Sequence, residues 1–457
     1  MPLESKEPVN IVGAGLAGAL LAVLLAKRSF AVRLFERRPD PRQKEQERGR
    51  SINLALAARG IRALECAGLM DSVRPLLIPM RGRMVHDRSG ATTLHPYGQR
   101  DEEVIYSVGR AALNQLLIEE ATSHPDITVR FDQVCLGAFP ERDALRFRDG
   151  HDVPLTPTIA TDGAGSAVRT SLASAGHFTV REEFLDHDYK ELTIPPATAR
   201  VLDRNALHVW PRGGFMLIAL PNTDGSFTAT LFLAREGENS FTSLRTASEA
   251  RGREVRSGDA VLALFQREFP DALRLIPNLS TEFAEHPQGQ LGTVHTAPFN
   301  VGGRILLLGD AAHAIVPFHG QGMNAAFEDC LALDGLLDQH DTWEEVFSRF
   351  SRDRGPNAAA IAQMALENYT EMRDTVLDPR FVRQKELALQ LERLFPRRFI
   401  PRYAMVMFHP EIAYAEALRR GAVQAEILDL LDRKRGPSGQ LEVPAAARLI
   451  GERLSEL

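Results

Sequence analysis

Residues 9–12 form a short apolar strand that runs directly into Gly13-Ala14-Gly15-Leu16-Ala17-Gly18 and then into an apolar helix ending near residue 28. A second strand at 31–35 ends on the acid Glu36. Strand, glycine turn, helix, strand and acid in that order leave few folds open, because this is the βαβ arrangement that seats a dinucleotide. The glycines permit a tight turn, the approach of backbone to a pyrophosphate, and close packing of helix on strand, while the acid can take the ribose hydroxyls of an adenosine. A lone GxGxxG carries little weight. Here both flanking strands, the helix and an acid about twenty residues on all fit.

A second stretch, RILLLGDAAHAIVPFHGQGMN at 304–324, has the same logic. Its apolar run at 305–308 suits a buried parallel strand, and Gly309-Asp310 places a carboxylate at the strand's carboxyl end, where open α/β sheets bind ligands. Pro317-Phe318-His319-Gly320-Gln321-Gly322 is too rich in Gly and Pro to be regular, and a helical pattern follows from Met323 to about residue 337. A glycine-rich turn feeding a helix offers free N–H groups and a positive dipole end to a ligand. A reduced flavin, which gathers negative charge at its N1–C2=O edge, would be stabilised there. The plainer alternative is an ordinary strand-loop-helix connection.

At 457 residues the chain has room for two or three domains and a large core. With 44% hydrophobic and 25% charged residues and a net charge of -6, it reads as a soluble globular protein with no call for a nucleic-acid partner. Cys66, Cys135 and Cys330 lie far apart, so neither a disulfide framework nor a zinc site is indicated. The first ten residues are too polar for a signal peptide, and no apolar run approaches the roughly 18 residues of a membrane span. The expectation is a cytoplasmic protein without a transmembrane anchor.

Along the chain, a charged loop runs to residue 50 and a helix is expected at 57–66. Strands at 81–86 and 94–98 flank a turn at Ser89-Gly90. Arg81 and Arg83 could capture an anionic group or could simply be solvated. A strand at 104–108 ends at Gly109-Arg110 before a helix at 111–121, a position where the arginine suits a phosphate. Strands follow at 127–131 and 144–147, and 158–161 leads to Asp162-Gly163. Pro154 and Pro157 argue against a central strand there. From about residue 181 long antiparallel strands begin. Met216, Ile218 and Leu220 share one face of a strand, and Thr228, Thr230 and Phe232 share one face of the next. Such an apolar face could roof a substrate pocket or pack on a layer of helices. Helices are expected at 261–269, 343–350, 356–372, 378–394 and 411–431, with Arg402-Tyr403 in a loop. Asp186-His187-Asp188 lacks a supporting ligand pair, so no metal site is expected.

Gly13 to Gly18 with Glu36, Asp162-Gly163 and Gly309-Asp310 together resemble the single-component, FAD-dependent aromatic hydroxylases of the para-hydroxybenzoate hydroxylase type. Within that family the chain resembles the kynurenine-hydroxylating branch. The stretches that carry this are FERRPDPR (35–42), GRSINLAL (49–56), MRGRMVH (80–86), DHDYKEL (186–192), NALHVWPRG (205–213), VPFHGQGMN (316–324), MALENY (364–369) and RFIPRYAMV (398–406). The small pair usual before the aspartate is replaced by Ala160-Thr161, and Val108-Gly109 precedes Arg110 in place of Ile-Asn.

The resemblance implies an α/β fold: a discontinuous Rossmann-like FAD-binding domain (1–75, 101–180, 290–340), an inserted antiparallel-sheet substrate domain (76–100, 181–289) and a C-terminal helical region (341–457). It implies tight, non-covalent FAD, with NADPH and molecular oxygen as co-substrates. It also implies hydroxylation of L-kynurenine to 3-hydroxykynurenine through a flavin 4a-hydroperoxide; a related aryl amino acid or anthranilate-like compound is the alternative. Glu36 would hold the adenosine ribose, Arg110 the phosphates and Asp310 the ribityl chain. Gly13, Gly15, Leu16, Ala17, Gly18, Arg37, Arg38, Leu54, Ala55, Asp162, Gly322, Met323 and Asn324 would complete the cofactor site. Arg83 and Tyr97 would bind the substrate carboxylate, with Asn368 and Tyr403 completing the amino-acid end. Leu207, Met216, Ile218, Leu220, Phe232, Phe318 and Met372 would line the aryl pocket. Pro317, Phe318, His319 and Gly320 would face the flavin, with no acid–base residue. A homodimer is possible.

Overall fold

The computed structural model describes residues 7–43, 53–249, 257–375, 378–434 and 441–457, so most of the expected charged loop and the start of GRSINLAL lie outside the described residues. The chain forms two compact units. The first comprises Met1–Leu77, Ser107–Leu185 and Leu291–Ala365, and the second Ile78–Tyr106, Asp186–Gln290 and Leu366–Leu457. The C-terminal helices, expected as a region of their own, cluster with the antiparallel sheet from Leu366 onward.

In the first unit, β1 (Val9–Val12) is wholly buried, leads into helix α1 (Leu16–Lys27), and pairs in parallel with β2 (Val32–Phe35). Helix α1 is apolar on almost every side, with Gly18 to Ala26 all buried. It is therefore covered on both sides, by the helices Arg110–Ser123 and Gly322–Leu336. The sheet has six strands in the order Asn300–Val301, Ile305–Leu307, Thr158–Ala160, β1, β2, Ile127–Arg130, parallel except for the first pair.

Thr158–Ala160 is thus a central strand, against the expectation drawn from the prolines. Pro157 stands just before the strand, where its carbonyl accepts the Asn10 N–H at 2.9 Å and no N–H is needed from it. Pro154 ends an edge strand of a separate three-stranded sheet. A further difference is that the two helices expected around Pro356 are one, Trp343–Thr370. A mid-helix proline forfeits one hydrogen bond, and the buried Phe347, Phe350 and Ile361 hold both halves to the core.

The second unit is built on a seven-stranded sheet, in the order Gln288–Ala297, Thr179–Ile194, Phe227–Ala234, Met216–Pro221, Leu207–Pro211, Gly82–His86, Thr92–Pro96. One face of its apolar strands packs on a layer of helices. Trp210, Leu217, Ala219, Phe227, Leu231 and Leu233 point to one side and form a core with Val261, Phe265 and Phe269 of the helices behind. The register pairs Met216 with Phe232, Ile218 with Thr230, and Leu220 with Thr228, so these share the other face. Leu207 pairs with Arg83, which puts the arginine on that face too. Arg402 and Tyr403 lie in a short helix, Arg402–Phe408, rather than in a loop, because the apolar run Ala404 to Met407 is buried.

Candidate active site

Four neighbouring parallel strands of the first unit run out, in sheet order, into Asp310, Asp162, Gly13 and Glu36. The chain order reverses between β1 and Thr158–Ala160, so these carboxyl ends flank the switch-point crevice of a doubly wound sheet.

The three glycines of the turn differ as the sequence reading requires. Gly13 has φ +101°, and a Cβ there would sit 2.7 Å from the Thr161 carbonyl oxygen. A Cβ on Gly18 would overlap the Gly13 carbonyl, whereas a Cβ on Gly15 meets nothing within 4 Å. Gly13 and Gly18 therefore fix the turn, and Gly15 leaves its outer surface open for a phosphate. Glu36 is buried; its Oε2 accepts the Ala14 N–H at 2.8 Å, and its Oε1 accepts the Arg38 N–H at 2.9 Å and Nε at 2.7 Å. Burial alone would raise its carboxyl, but Arg38 and the backbone donors outweigh it and hold the group below the usual range. Each oxygen retains acceptor capacity for a ribose hydroxyl. Arg37 and Arg110 are exposed, the latter at the N-terminus of its helix. One turn on, Asn114 donates to the Ala14 carbonyl at 3.0 Å. The sequence reading missed Asn114, although its i, i+4 spacing from Arg110 places both on one helix face.

Asp162 accepts from the N–H groups of Ala167 and Val168 at 2.9 and 3.3 Å, capping the next helix, and burial raises its carboxyl. Asp310 is open to solvent, yet enough protein surrounds it to raise its carboxyl, the situation of a group on the wall of a recess. Its Oδ1 is 3.9 Å from where a Gly322 Cβ would lie, so it stands beside the N-terminus of the helix Gly322–Leu336. Pro317–His319 forms a 3-10 turn closed by Gly320 at φ +65°, with Phe318 and His319 buried. A Cβ on Gly320 would press on Ala55, next to Leu54. Asn324 is fully buried: its Nδ2 donates to the carbonyls of Ala55 and Gly320, both at 2.8 Å, and its Oδ1 accepts the Ala57 N–H at 2.9 Å. Its side chain is committed to bracing the loop, which leaves its backbone, with those of Gly322 and Met323, to face a ligand.

Beneath this loop lies a buried ionic cluster absent from the sequence reading. Asp329 accepts from His313 Nε2 at 2.6 Å, Arg354 Nε at 2.6 Å and the Gly309 N–H at 3.1 Å. Arg354 also pairs with Glu328 at 2.7 Å, and Glu328 with the buried Arg59. The cluster fixes the Gly309 turn that aims Asp310.

In the second unit, Arg83 is 6% exposed and forks between Glu371 Oε1 at 2.9 Å and Asn368 Oδ1 at 3.1 Å. Its Cζ lies 5.1 Å from the ring of Tyr403 and 6.0 Å from that of Tyr97, and those rings stack 5.5 Å apart. The buried Tyr97 hydroxyl faces Arg83 and Tyr403 without completing a hydrogen bond of good geometry. Lys385, not anticipated, adds a second cation; burial, then the charge of Arg83, lower it to about 8. Glu371 and Met372 sit on a single π-helical turn, Glu371–Thr375, at the end of the long helix, and Met372 is buried where its sulfur meets Asn368 Nδ2 at 3.4 Å. Such turns are rare and concentrate at functional sites. The arrangement is a buried, cation-rich cluster framed by aromatic rings, chemically able to take a carboxylate, and the sheet face it shares carries Leu207, Met216, Ile218, Leu220 and Phe232. Phe318, expected with that face, belongs to the first unit.

A doubly wound sheet with a glycine turn at its switch point is the frame of a dinucleotide-binding protein, and this chain belongs to the FAD binding domain family, whose model matches residues 6–365. The kynurenine 3-monooxygenase of Xanthomonas axonopodis pv. citri (strain 306) is 47% identical over 463 residues, covering 99% of this chain and 98% of that protein. The kynurenine 3-monooxygenase of Stenotrophomonas maltophilia (strain K279a) is 48% identical over 435 residues, covering 94% and 93%. Among solved structures, the tetrameric form of 2-methyl-3-hydroxypyridine-5-carboxylic acid oxygenase shares the fold, with TM-score 0.65, 17% identity, and coverage of 82% of this chain and 95% of that one. The protein is accordingly an FAD-dependent monooxygenase. Among the described residues, no helix is long and apolar enough to cross a membrane.

Proposed function

We propose that this protein hydroxylates L-kynurenine to 3-hydroxykynurenine, using NADPH, molecular oxygen and tight, non-covalent FAD. The observation that carries this reading is the buried Arg83 fork framed by Asn368, Tyr97 and Tyr403, in a chain alike along nearly its whole length to the two kynurenine 3-monooxygenases. Bound FAD supplies the redox chemistry, accepting a hydride and activating oxygen. The first unit is the FAD-binding one: Glu36 holds the adenosine ribose, Arg110 the phosphates and Asp310 the ribityl chain. The N–H groups at Gly322, Met323 and Asn324 stabilise negative charge on the flavin edge. In the second unit Arg83 and Tyr97 take the substrate carboxylate, Asn368 and Tyr403 complete that end, and the apolar sheet face with Met372 seats the aryl ring and excludes water. The substrate's own ring amine activates the carbon to be hydroxylated, so the protein's task is orientation rather than acid–base catalysis. We assign the protein to the cytoplasm, as a homodimer, the commonest symmetric assembly; sedimentation of a monomer would remove the second assignment.

Asp310→Ala is expected to lower the flavin-to-protein absorbance ratio of the purified enzyme while the apoprotein melts as wild type does. An unchanged ratio would remove Asp310 from the ribityl site. Because no separate nicotinamide-binding fold exists among the described residues, NADPH must visit transiently, and wasteful oxidation calls for a gate. L-Kynurenine is therefore expected to accelerate flavin reduction by NADPH in stopped flow, with 3-hydroxykynurenine as product. Equal reduction rates with and without it would exclude the gate; product from anthranilate but not from kynurenine would exclude the substrate.

A further inference from the structure

The stretches 80–86 and 205–213 contribute more than Arg83 and Leu207. On the opposite face of the same two strands, His86 and His208 meet, with His86 Nε2 2.8 Å from His208 Nδ1. His86 Nδ1 is 3.1 Å from Asp271 Oδ2, which also accepts Trp210 Nε1 at 2.7 Å, and the His86 ring stacks on Trp210 at 4.0 Å. His208 Nε2 lies 2.9 Å from the Asp203 carbonyl oxygen. Both histidines and Trp210 are buried, and Asp271 Oδ1 is buried without a hydrogen-bond partner.

The partners along this chain order its donors and acceptors. A carbonyl oxygen only accepts, so His208 Nε2 carries a proton. Burial holds His208 far below its usual range, to about 4, so its Nδ1 is bare and accepts. His86 Nε2 must therefore donate to it. Asp271, held below the ordinary carboxylate range by His86 and Trp210 against its burial, anchors the other side of the His86 ring. His86 thus bridges the carboxylate of Asp271 and the histidine of the neighbouring strand. The other charged groups facing the cluster are already engaged: Arg212 donates to the carbonyls of His86 and Pro211 at 3.1 and 2.7 Å, and Arg88 pairs with Glu268 at 2.9 Å.

We propose that His86, Asp271 and His208 form a hydrogen-bonded brace that locks the Arg83 strand in register with the Leu207 strand, making Asp271 and His86 positioning residues for substrate carboxylate binding. The strands pair in parallel over only three residues, Leu207 with Arg83, His208 with Met84 and Val209 with Val85. A slip of one residue would turn Arg83 to the wrong face. The His86–His208 bond exists in one register only, and Arg212 ties the far ends of the same strands. Through this brace the back of the sheet fixes where the Arg83 fork points.

The functional readout rests on the kynurenine reading above; the spectroscopic one does not. In holoenzyme labelled with 15N-histidine, long-range proton–nitrogen spectra are expected to show a ring proton shared in a hydrogen bond between His86 Nε2 and His208 Nδ1, lost in Asp271→Asn. In the same variant KM for L-kynurenine should rise about tenfold, the scale of one weakened charge-assisted contact, with kcat little changed. KM for kynuramine, the decarboxylated analogue, should stay near wild type. Trp210→Phe, which removes a single donor from Asp271, should give the same split at smaller size if Asp271→Asn does not fold. Absence of the His86–His208 hydrogen bond in the wild type, or equal KM changes for the two substrates, overturns the brace. A wild type that leaves kynurenine unreacted overturns the substrate and not the spectrum.

Discussion

Arg83→Ala is expected to lower kcat/KM for L-kynurenine about tenfold to a hundredfold, the cost of a lost charge-assisted contact of about 1.5–3 kcal/mol. The guanidinium is 6% exposed, so its charge is little screened. Its planar fork suits a carboxylate as a lysine ammonium does not, so Arg83→Lys should already be damaging. In the free protein Glu371 and Asn368 hold the fork in place, and the tyrosine rings keep water from it. The same variant should treat kynuramine almost as the wild type does, because that substrate has no carboxylate to lose. Equal losses on both substrates would show that Arg83 supports the fold rather than the ligand. Tyr97→Phe should cost less, nearer ~1 kcal/mol for a neutral hydrogen bond.

The second large effect concerns stability. Asp329→Ala strips the buried cluster of the acceptor shared by His313, Arg354 and the Gly309 N–H, leaving His313 without its carboxylate and Arg354 with Glu328 alone. Breaking a buried ion pair from one side costs about 3–5 kcal/mol, so a clear drop in melting temperature is expected, together with weaker FAD retention as the Gly309 turn loosens. Burial works against each charge, but the partners outweigh it: Asp329 is held below the ordinary carboxylate range and His313 above the ordinary imidazole range. A depressed carboxylate stabilises above its unfolded pKa of about 3.9, and that contribution is lost as pH falls through the folded value. A raised histidine stabilises below about 6.5 and loses its contribution as pH rises through its folded value. The stability gap between wild type and Asp329→Ala should therefore be widest between those limits and narrow toward both. A gap independent of pH would mean that the cluster is not charged as drawn.

The parts of the cofactor unit that could be read along the chain were those whose chemistry is local. Gly13, Gly15 and Gly18 are constrained by a single turn, and Glu36 and Asp310 each end their own strand. The central position of Thr158–Ala160 was obscured by Pro154 and Pro157, because a proline rule applied residue by residue does not say that the strand begins one residue later. Pro356 misled in the same way, since packing on both sides carries a helix through one missing bond. Asn114, Glu371, Lys385 and the Asp329 cluster carried no local mark. Each becomes meaningful only through partners distant in the chain, such as Asp329 with His313 and Arg354, or Glu371 with Arg83.

From the sequence by itself came the βαβ start, the strand-end acids, the alternating faces of the antiparallel strands and the candidacy of Arg83. These depend on periods of two and 3.6 residues and on turn chemistry, which act over a few neighbours. Only the tertiary structure decided which face of that sheet meets helices and which carries Arg83 and Leu207, because register is a long-range choice and one residue of slip reverses it. Tertiary structure alone also set the charges, through burial and paired partners: the lowered Lys385 and the ionic cluster under the Gly309 turn.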